Sequence, residues 1–302
     1  MTEILTRAIA LICVIALIYI LKKIHVLKKE DFRTVSTLVV KITLPCAIIC
    51  NFASMDFDLS LFFLVPIGFF GTLSMIGLGA FAARKKSPQE KAFEMINHSG
   101  YNIGTFAIPY LHSFVGPAGV ITASMFDIGN ALLSTGGTYA IASSVLHPEQ
   151  KTNLFSLLKK SLSSVPTLTY FVMIFFSILN LKIPDSVLTF TEIGAQANIF
   201  LAMAMLGLGL ELSTKREHAR ILSRILATRY ISAALFSLLV WYILPFDLLI
   251  RKTLVIILFS PLASFDTVFT AQCGGDVGLS SELNSLSILI SLFFMTLLLL
   301  IL

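Results

Sequence analysis

Residues 101–111 read YNIGTFAIPYL, and residues 259–270 read FSPLASFDTVFT. Each is an apolar run interrupted near its middle by residues that break a helix: Asn102, Gly104 and Pro109 in the first, Pro261 in the second. Proline removes a backbone donor, and its ring clashes with the carbonyl one turn back. In lipid no water satisfies that freed carbonyl, so an interrupted helix is tolerated only where protein or a wet cavity covers it. Interruptions at corresponding places in two halves of a membrane chain point to a transporter's binding site. Each also exposes a half-helix N-terminus, whose unpaired N–H groups and positive dipole end attract anions.

The composition puts these runs in a membrane. Of 302 residues, 56% are hydrophobic and only 13% charged, against roughly 25% charged in a soluble domain. Mean hydropathy is +0.89. A water-soluble monomer cannot hide that much apolar surface, and the same figures exclude disordered, collagen-like and disulfide-scaffold chains. The net charge of +5 does not indicate nucleic acid, because no basic segment is interleaved with aromatics as such binding requires. Cys13, Cys46, Cys50 and Cys273 lie in or beside apolar segments and read as small buried apolar residues. Two thiols one turn apart make no zinc site, and neither a metal set nor a nucleotide loop appears, so no metal or cofactor is expected. The first apolar run ends in Leu21-Lys22-Lys23 without a small-residue cleavage site, and reads as a retained transmembrane helix.

A hydrocarbon core about 30 Å thick needs about 20 apolar residues of helix. On that scale the chain offers ten spans: 3–21, 34–54, 59–82, 92–111, 117–144, 163–181, 188–212, 219–244, 252–272 and 281–302. Basic residues follow the odd-numbered spans: Lys22, Lys23, Lys28, Lys29 and Arg33; Arg84, Lys85, Lys86 and Lys91; Lys151, Lys159 and Lys160; Lys215, Arg216, Arg220 and Arg224. That places sixteen of the 22 on alternating loops. The positive-inside rule then puts both termini outside the cytoplasm.

Residues 1–147 and 154–302 hold five spans each. Five is odd, so the second half starts on the opposite side of the membrane, and similar halves are inverted repeats. ILKKI at the end of the first span echoes ILNLKI at the end of the sixth. The fourth span of each half is broken, and FDIGNALLST in the fifth is matched by SSELNSLSIL in the tenth. The expected fold is therefore all-α and membrane-integral, a 5+5 inverted repeat whose fourth and ninth helices are broken.

Charged groups inside spans are functional hypotheses by default. Asp127 lies about ten residues into the fifth span, three before Asn130, and Asp266 follows Pro261 by five. Either is placed to carry a coupling proton, and the competing reading pairs each with an amide or with Lys41 or Arg229. His98, one turn before Asn102, is either a proton relay or a hydrogen-bonded histidine lining the cavity. Ser264 and Thr267 near the second break offer oxygens to a cation. Lys41 and Arg229 read as snorkelling or structurally paired cations.

Asn102-Ile-Gly104-Thr-Phe-Ala107-Ile-Pro109 resembles the N-x-G-x-x-G-x-P signature on the fourth helix of the auxin efflux carrier family, which includes bacterial permeases and is related to the plant PIN exporters. Pro261-Leu-Ala263 resembles that family's P-x-A on the ninth helix, and Gly275-Asp276 its Gly-Asp before the tenth; Leu44-Pro45, Leu206-Gly207 and Arg229 also fit. Ala107, Val165 and Thr270 depart from the pattern. The resemblance implies crossed fourth and ninth helices and a scaffold, often dimeric, formed by 3–54 and 163–212. It also implies a mobile transport domain formed by 59–144 and 219–302, with Asn102 projecting to the carboxylate of an organic anion.

The resulting expectation is a secondary transporter in the cell membrane (inner or plasma), homodimeric, coupled to H⁺ or Na⁺ if coupled at all, and not an enzyme. Asn102, Gly104, Pro109, Pro261 and Ser264 are the expected substrate contacts; Asp127, Asn130, Asp266 and His98 are the expected coupling groups. A sodium-coupled symporter of the bile-acid type is the main alternative, ahead of a channel. An intramembrane aspartyl protease built on Asp127 and Gly274-Gly275-Asp276 needs two aspartates sharing one site, and four intervening helices argue against it.

Overall fold

The computed structural model describes residues 2–54, 58–147, 164–179, 181–212 and 216–302; Lys151, Lys159, Lys160 and Lys215 lie outside them. Every regular element among the described residues is a helix, with no strand among them. In chain order the helices are α1 (Thr2–Lys23), α2 (Asp31–Ala53), α3 (Leu59–Ala82), α4 (Pro88–His98), α5 (Ile108–His112), α6 (Gly116–Leu132) and α7 (Thr138–Leu146). They continue as α8 (Val165–Ile178), α9 (Asp185–Gly209), α10 (Ala219–Ile243), α11 (Leu248–Leu258), α12 (Asp266–Gln272) and α13 (Val277–Ile301). Six of these, α1, α2, α3, α9, α10 and α13, are long and apolar enough to cross a membrane. Phe190, Ile193, Leu235 and Ile243 stand on the outer surface, while Asn97, Asn130, Ser280 and Arg229 are buried. Polar inside and apolar outside is the arrangement lipid demands. Cys13, expected to be buried, is exposed on α1; a thiol facing hydrocarbon needs no partner.

Proline governs local geometry through its missing donor. The helix widens into a π turn at Val39–Thr43, just before Pro45 in α2, and again at Ile103–Ala107, just before Pro109 in α5. The wider turn relieves the clash between the ring and the carbonyl four residues back. At α4 the signal is a cap: the Ser87 hydroxyl accepts from the Glu90 amide, and the Glu90 carboxylate accepts from the Ser87 amide, with Pro88 opening the helix. The Ser87 hydroxyl and amide together hold the Glu90 carboxyl below the usual glutamate range.

The helices form two packed groups. In one, α9 lies against α1 and α2, and α2 against α8. In the other, α3 runs along α6 and α4, α10 packs on α11, and α12 on α13 and α4. The groups meet where α2 and α8 touch α6, where α9 touches α5, and where α1 touches α13. Polar contacts also link the loops. Arg7 donates to the Ser113 carbonyl at 2.7 Å and Lys252 to the Leu302 carbonyl. Lys29 meets Glu211 at 2.9 Å, and His218 lies between Glu282 and Asp276.

The tightest helix contact is α3 on α6. A Cβ added at Gly68 would lie 2.0 Å from the Phe126 carbonyl oxygen, and one at Gly129 would lie 1.9 Å from that of Val65. Both obstacles are backbone, so neither can swing aside. Gly129→Ala should force the helices apart and destabilise the protein by about 1–3 kcal/mol, whereas Gly77→Ala, with nothing within 4 Å of the added carbon, should not. Melting both variants in detergent by size-exclusion chromatography checks this; equal midpoints would show that the contact is not limiting.

Candidate functional site

α4 ends at His98 and α11 at Leu258, and each is followed by a few non-helical residues before helix resumes. The chain leaves α4 through Gly100, whose φ of +68° suits glycine alone. The same glycine permits close approach, since a Cβ there would lie 2.7 Å from the Cβ of Ala263 in the second break. One residue on from Tyr101, the Asn102 amide donates to the Pro261 carbonyl at 3.0 Å. The two breaks therefore meet, joined by backbone.

Two helix C-termini meeting inside a membrane concentrate unsatisfied carbonyls and negative dipole ends. Arg229, reaching in from α10 and 1% exposed, answers both. Its Nη1 donates to the His98 carbonyl at 3.2 Å, and its Nη2 faces the carbonyls of Gly100, Ser260 and Pro261 at 2.8, 2.8 and 2.9 Å. The guanidinium also lies over the Tyr101 ring, 5.2 Å from its centroid. Of the two sequence readings for Arg229, pairing describes it and snorkelling does not; Lys41 is exposed on α2.

Asn130 secures the first break from the other side. Its side-chain amide pairs with the Tyr101 peptide in both directions: Nδ2 donates to the Tyr101 carbonyl at 2.8 Å, and Oδ1 accepts from the Tyr101 amide at 3.1 Å. Asn130 Nδ2 also donates to Asp127 Oδ1 at 2.9 Å, and Thr72 Oγ1 donates to Asn130 Oδ1 at 2.9 Å. Asp127 thus sits one hydrogen bond from the break. A Cβ at Gly104 would lie 3.2 Å from its other oxygen, so glycine there leaves room for the carboxylate.

Asn102 faces the second break. Its Nδ2 donates to Ser264 Oγ at 3.0 Å, Thr105 Oγ1 donates to Asn102 Oδ1 at 2.6 Å, and the two hydroxyls lie 3.3 Å apart. Asn102 is buried, Thr105 half-buried and Ser264 exposed, so the cluster opens on one side. Asp266, at the start of α12, is 1% exposed, and its carboxylate faces the Ala263 backbone and Arg229. His98 points its Nδ1 back to the Glu94 carbonyl at 2.8 Å, and its Nε2 is unpartnered. Beyond it the buried Glu94 carboxylate is held by Lys86 at 2.8 Å and by a bidentate contact with Arg224.

Asn102, Gly104, Pro261, Ser264, Asp127 and Asn130 are therefore joined by direct contacts, and Asp266 and His98 meet them through Arg229. Pro109 stands apart. The break precedes Asn102, and Pro109 lies seven residues later inside resumed helix, accommodated by its π turn. Thr105, Thr72 and the Glu94–Arg224 pair were not singled out from the sequence. Hydroxyls in an apolar run carry no pattern, and a pair 130 residues apart has no local signal.

A family model described as membrane transport protein matches residues 3–299. The chain belongs to this family. It is the auxin efflux carrier family that the fourth-span motif resembles, a family of transporters and not of enzymes. No curated protein matches the chain. For a membrane transport protein, a multi-pass helical body with polar groups buried around two broken helices is the expected construction. Replacing Arg229 by Met should leave the His98, Gly100 and Ser260 carbonyls short of a donor at about 1–3 kcal/mol each. The melting midpoint should fall sharply, and Arg229→Lys, with a single ammonium, should recover only part of the loss. An unchanged midpoint for Arg229→Met would refute the assigned role.

Proposed function

We propose that this membrane transport protein is a secondary transporter that moves a small organic anion, such as a mono- or dicarboxylate, by alternating access. The observation that supports it most is the open cluster of Asn102, Thr105 and Ser264 where the two breaks meet. An amide and two hydroxyls there can turn donors toward a carboxylate, next to the N-terminus of the segment that resumes at Ile103. The second resumed helix, α12, begins at Asp266, whose own carboxylate stands at that positive end. The substrate anion is thereby directed to the Asn102 side. Gly104 and Pro261 contribute by backbone, and Pro109 by shaping the helix behind the site.

In this reading the chain crosses the cell membrane ten times as a 5+5 inverted repeat with crossing fourth and ninth helices. Both termini are non-cytoplasmic. Residues 3–54 and 163–212 form the scaffold of a homodimer, and 59–144 with 219–302 move against it. The separate packing of α1, α2, α8 and α9 supports that division. Asp127 and Asp266 are the candidate proton carriers, with Asn130 and His98 as their contacts to the breaks. A sodium-coupled cycle, as in bile-acid-type symporters, draws support from one observation, the buried Asp266 carboxylate beside the second break.

Uptake of labelled malate, malonate, succinate and indole-3-acetate into proteoliposomes, under separately imposed proton, sodium and potential gradients, tests the proposal. Saturable uptake should appear for at least one acid and fall at least tenfold in Asn102→Ala, which loses about one substrate hydrogen bond to a charged group. Absence of uptake under every gradient, from protein shown to be folded, would overturn the substrate class. Normal uptake by Asn102→Ala would overturn the site.

A further inference from the structure

His98 is the last residue of α4 and is 0% exposed. Its Nδ1 lies 2.8 Å from the Glu94 carbonyl oxygen. A carbonyl only accepts, so Nδ1 carries a hydrogen, and in the neutral ring the lone pair stands on Nε2. Nε2 has no hydrogen-bond partner. One turn back, the Glu94 carboxylate comes within 3.5 Å of Nδ1, and that side chain is 2% exposed. The ring therefore has a free proton-accepting nitrogen on one side and a buried negative charge on the other.

Glu94 is not held by His98 alone. Lys86, from the loop that follows α3, donates to its Oε1 at 2.8 Å, and Arg224 of α10 grips both oxygens. The side chains of both cations are about a third exposed, so the buried carboxylate is linked to the edge of the protein from which they reach in. Two cations on one carboxylate leave an excess of one positive charge. A proton on His98 adds a further claimant, so the imidazolium competes with Lys86 and Arg224 for the same carboxylate. The charged groups that face His98 are Glu94 on its own helix and Arg224 and Arg229 on α10. Of the other helices packed on α4, α3 leads into Lys86, and α12 opens with Asp266, which faces Arg229. α7 carries no charged residue, and its Tyr139 ring packs on Phe269.

We propose that His98 binds a coupling proton at Nε2 and that Glu94 is a positioning residue, the counter-charge for which Lys86 and Arg224 compete. The step adds one proton from solvent to a lone pair: Nε2–H forms, no bond breaks, and Nδ1–H stays on the Glu94 carbonyl. The new charge arises beside Arg229, whose Nη1 holds the His98 carbonyl at 3.2 Å, the longest of its four contacts. Like charges repel, so the proton loosens the grip of Arg229 on the first break, and the backbone that carries Asn102 feels the charge state of His98. This rests on the reading of the chain as a proton-coupled transporter, and it gives that reading a proton site separate from Asp127 and Asp266.

The test uses the full-length protein in lipid bilayers. Solid-state ¹⁵N NMR of histidine-labelled protein reads the ring directly, and proton-driven uptake of whichever acid of the panel is taken up reads its use. His98→Asn keeps an amide N–H for the Glu94 carbonyl and cannot bind a proton, and its spectrum identifies the His98 signal among the five histidines. As pH falls, that signal should pass from imidazole protonated at Nδ1 to imidazolium. Glu94→Gln should move the titration midpoint down by about one pH unit, through loss of an opposite charge. Lys86→Gln should move it up, because Glu94 is freed for the ring, and this variant of a partly exposed residue keeps the test decisive if Glu94→Gln does not fold. The pH profile of uptake should shift with the midpoint in each variant and lose its pH dependence in His98→Asn. A merely structural ion pair would not give opposite shifts from two residues that share one contact. A His98 signal that stays neutral throughout, or a midpoint unmoved in Lys86→Gln, would overturn the proposal whatever acid is carried. Uptake that keeps the wild-type pH profile in His98→Asn would overturn it and leave the transporter reading standing. Absence of uptake would overturn that reading and the coupling with it, while the titration still decides the proton site.

Discussion

A guanidinium buried among carbonyls at the meeting point of two interrupted helices is the contact on which the rest of this structure depends. Breaking a helix inside a membrane strands backbone acceptors that water would satisfy elsewhere. Here the stranded groups belong to two chain segments some 160 residues apart, and Arg229 reaches acceptors in both. Arginine suits the task because its donors are spread across a rigid plane and it never loses its charge. That charge is itself expensive to bury, and two helix C-terminal dipoles offset the cost. The arrangement is reciprocal: without the breaks the arginine has no place in the interior, and without the arginine the breaks have no partner.

With that constraint satisfied, the remaining polar groups fall into place by the same accounting of donors and acceptors. Asn130 holds the Tyr101 peptide as a neighbouring strand would, giving one donor and one acceptor. Ser287 donates within its own helix and accepts from the Leu262 amide at 3.1 Å, doing for the second break part of what Asn130 does for the first. Asn97 is tied to Ser280 and Thr270, joining α4 to α12 and α13. These bonds are short-range and directional. They tie the elements around the two breaks to one another.

The proline signals show where one-dimensional reading succeeds and where it misleads. Pro261 lies in the second break itself, and its missing donor coincides with the loss of helix there. Pro109 looked equivalent and is not. The chain departs from helix at Gly100 and resumes before Pro109, whose missing donor is absorbed by a widened turn. Gly104 similarly does not break the helix; it leaves space for an aspartate on the next helix, α6. A residue that cannot continue a regular helix can be answered by a break or by a π turn, and neighbours distant in sequence choose between them.

What the sequence determined by itself was the solvent and the material. The apolar runs require a membrane, and the two interrupted runs marked where polar groups gather. These properties are set by local composition and by the cost of placing unsatisfied backbone in lipid, so they are legible one segment at a time. Only the tertiary structure decided the partners: Arg229 with four carbonyls, Asn130 with the amide and carbonyl of Tyr101, and Asn102 with Ser264. Each joins residues separated by tens to more than a hundred positions, and hydrogen bonding is satisfied by whichever donor arrives in space, an outcome that spacing along the chain does not encode.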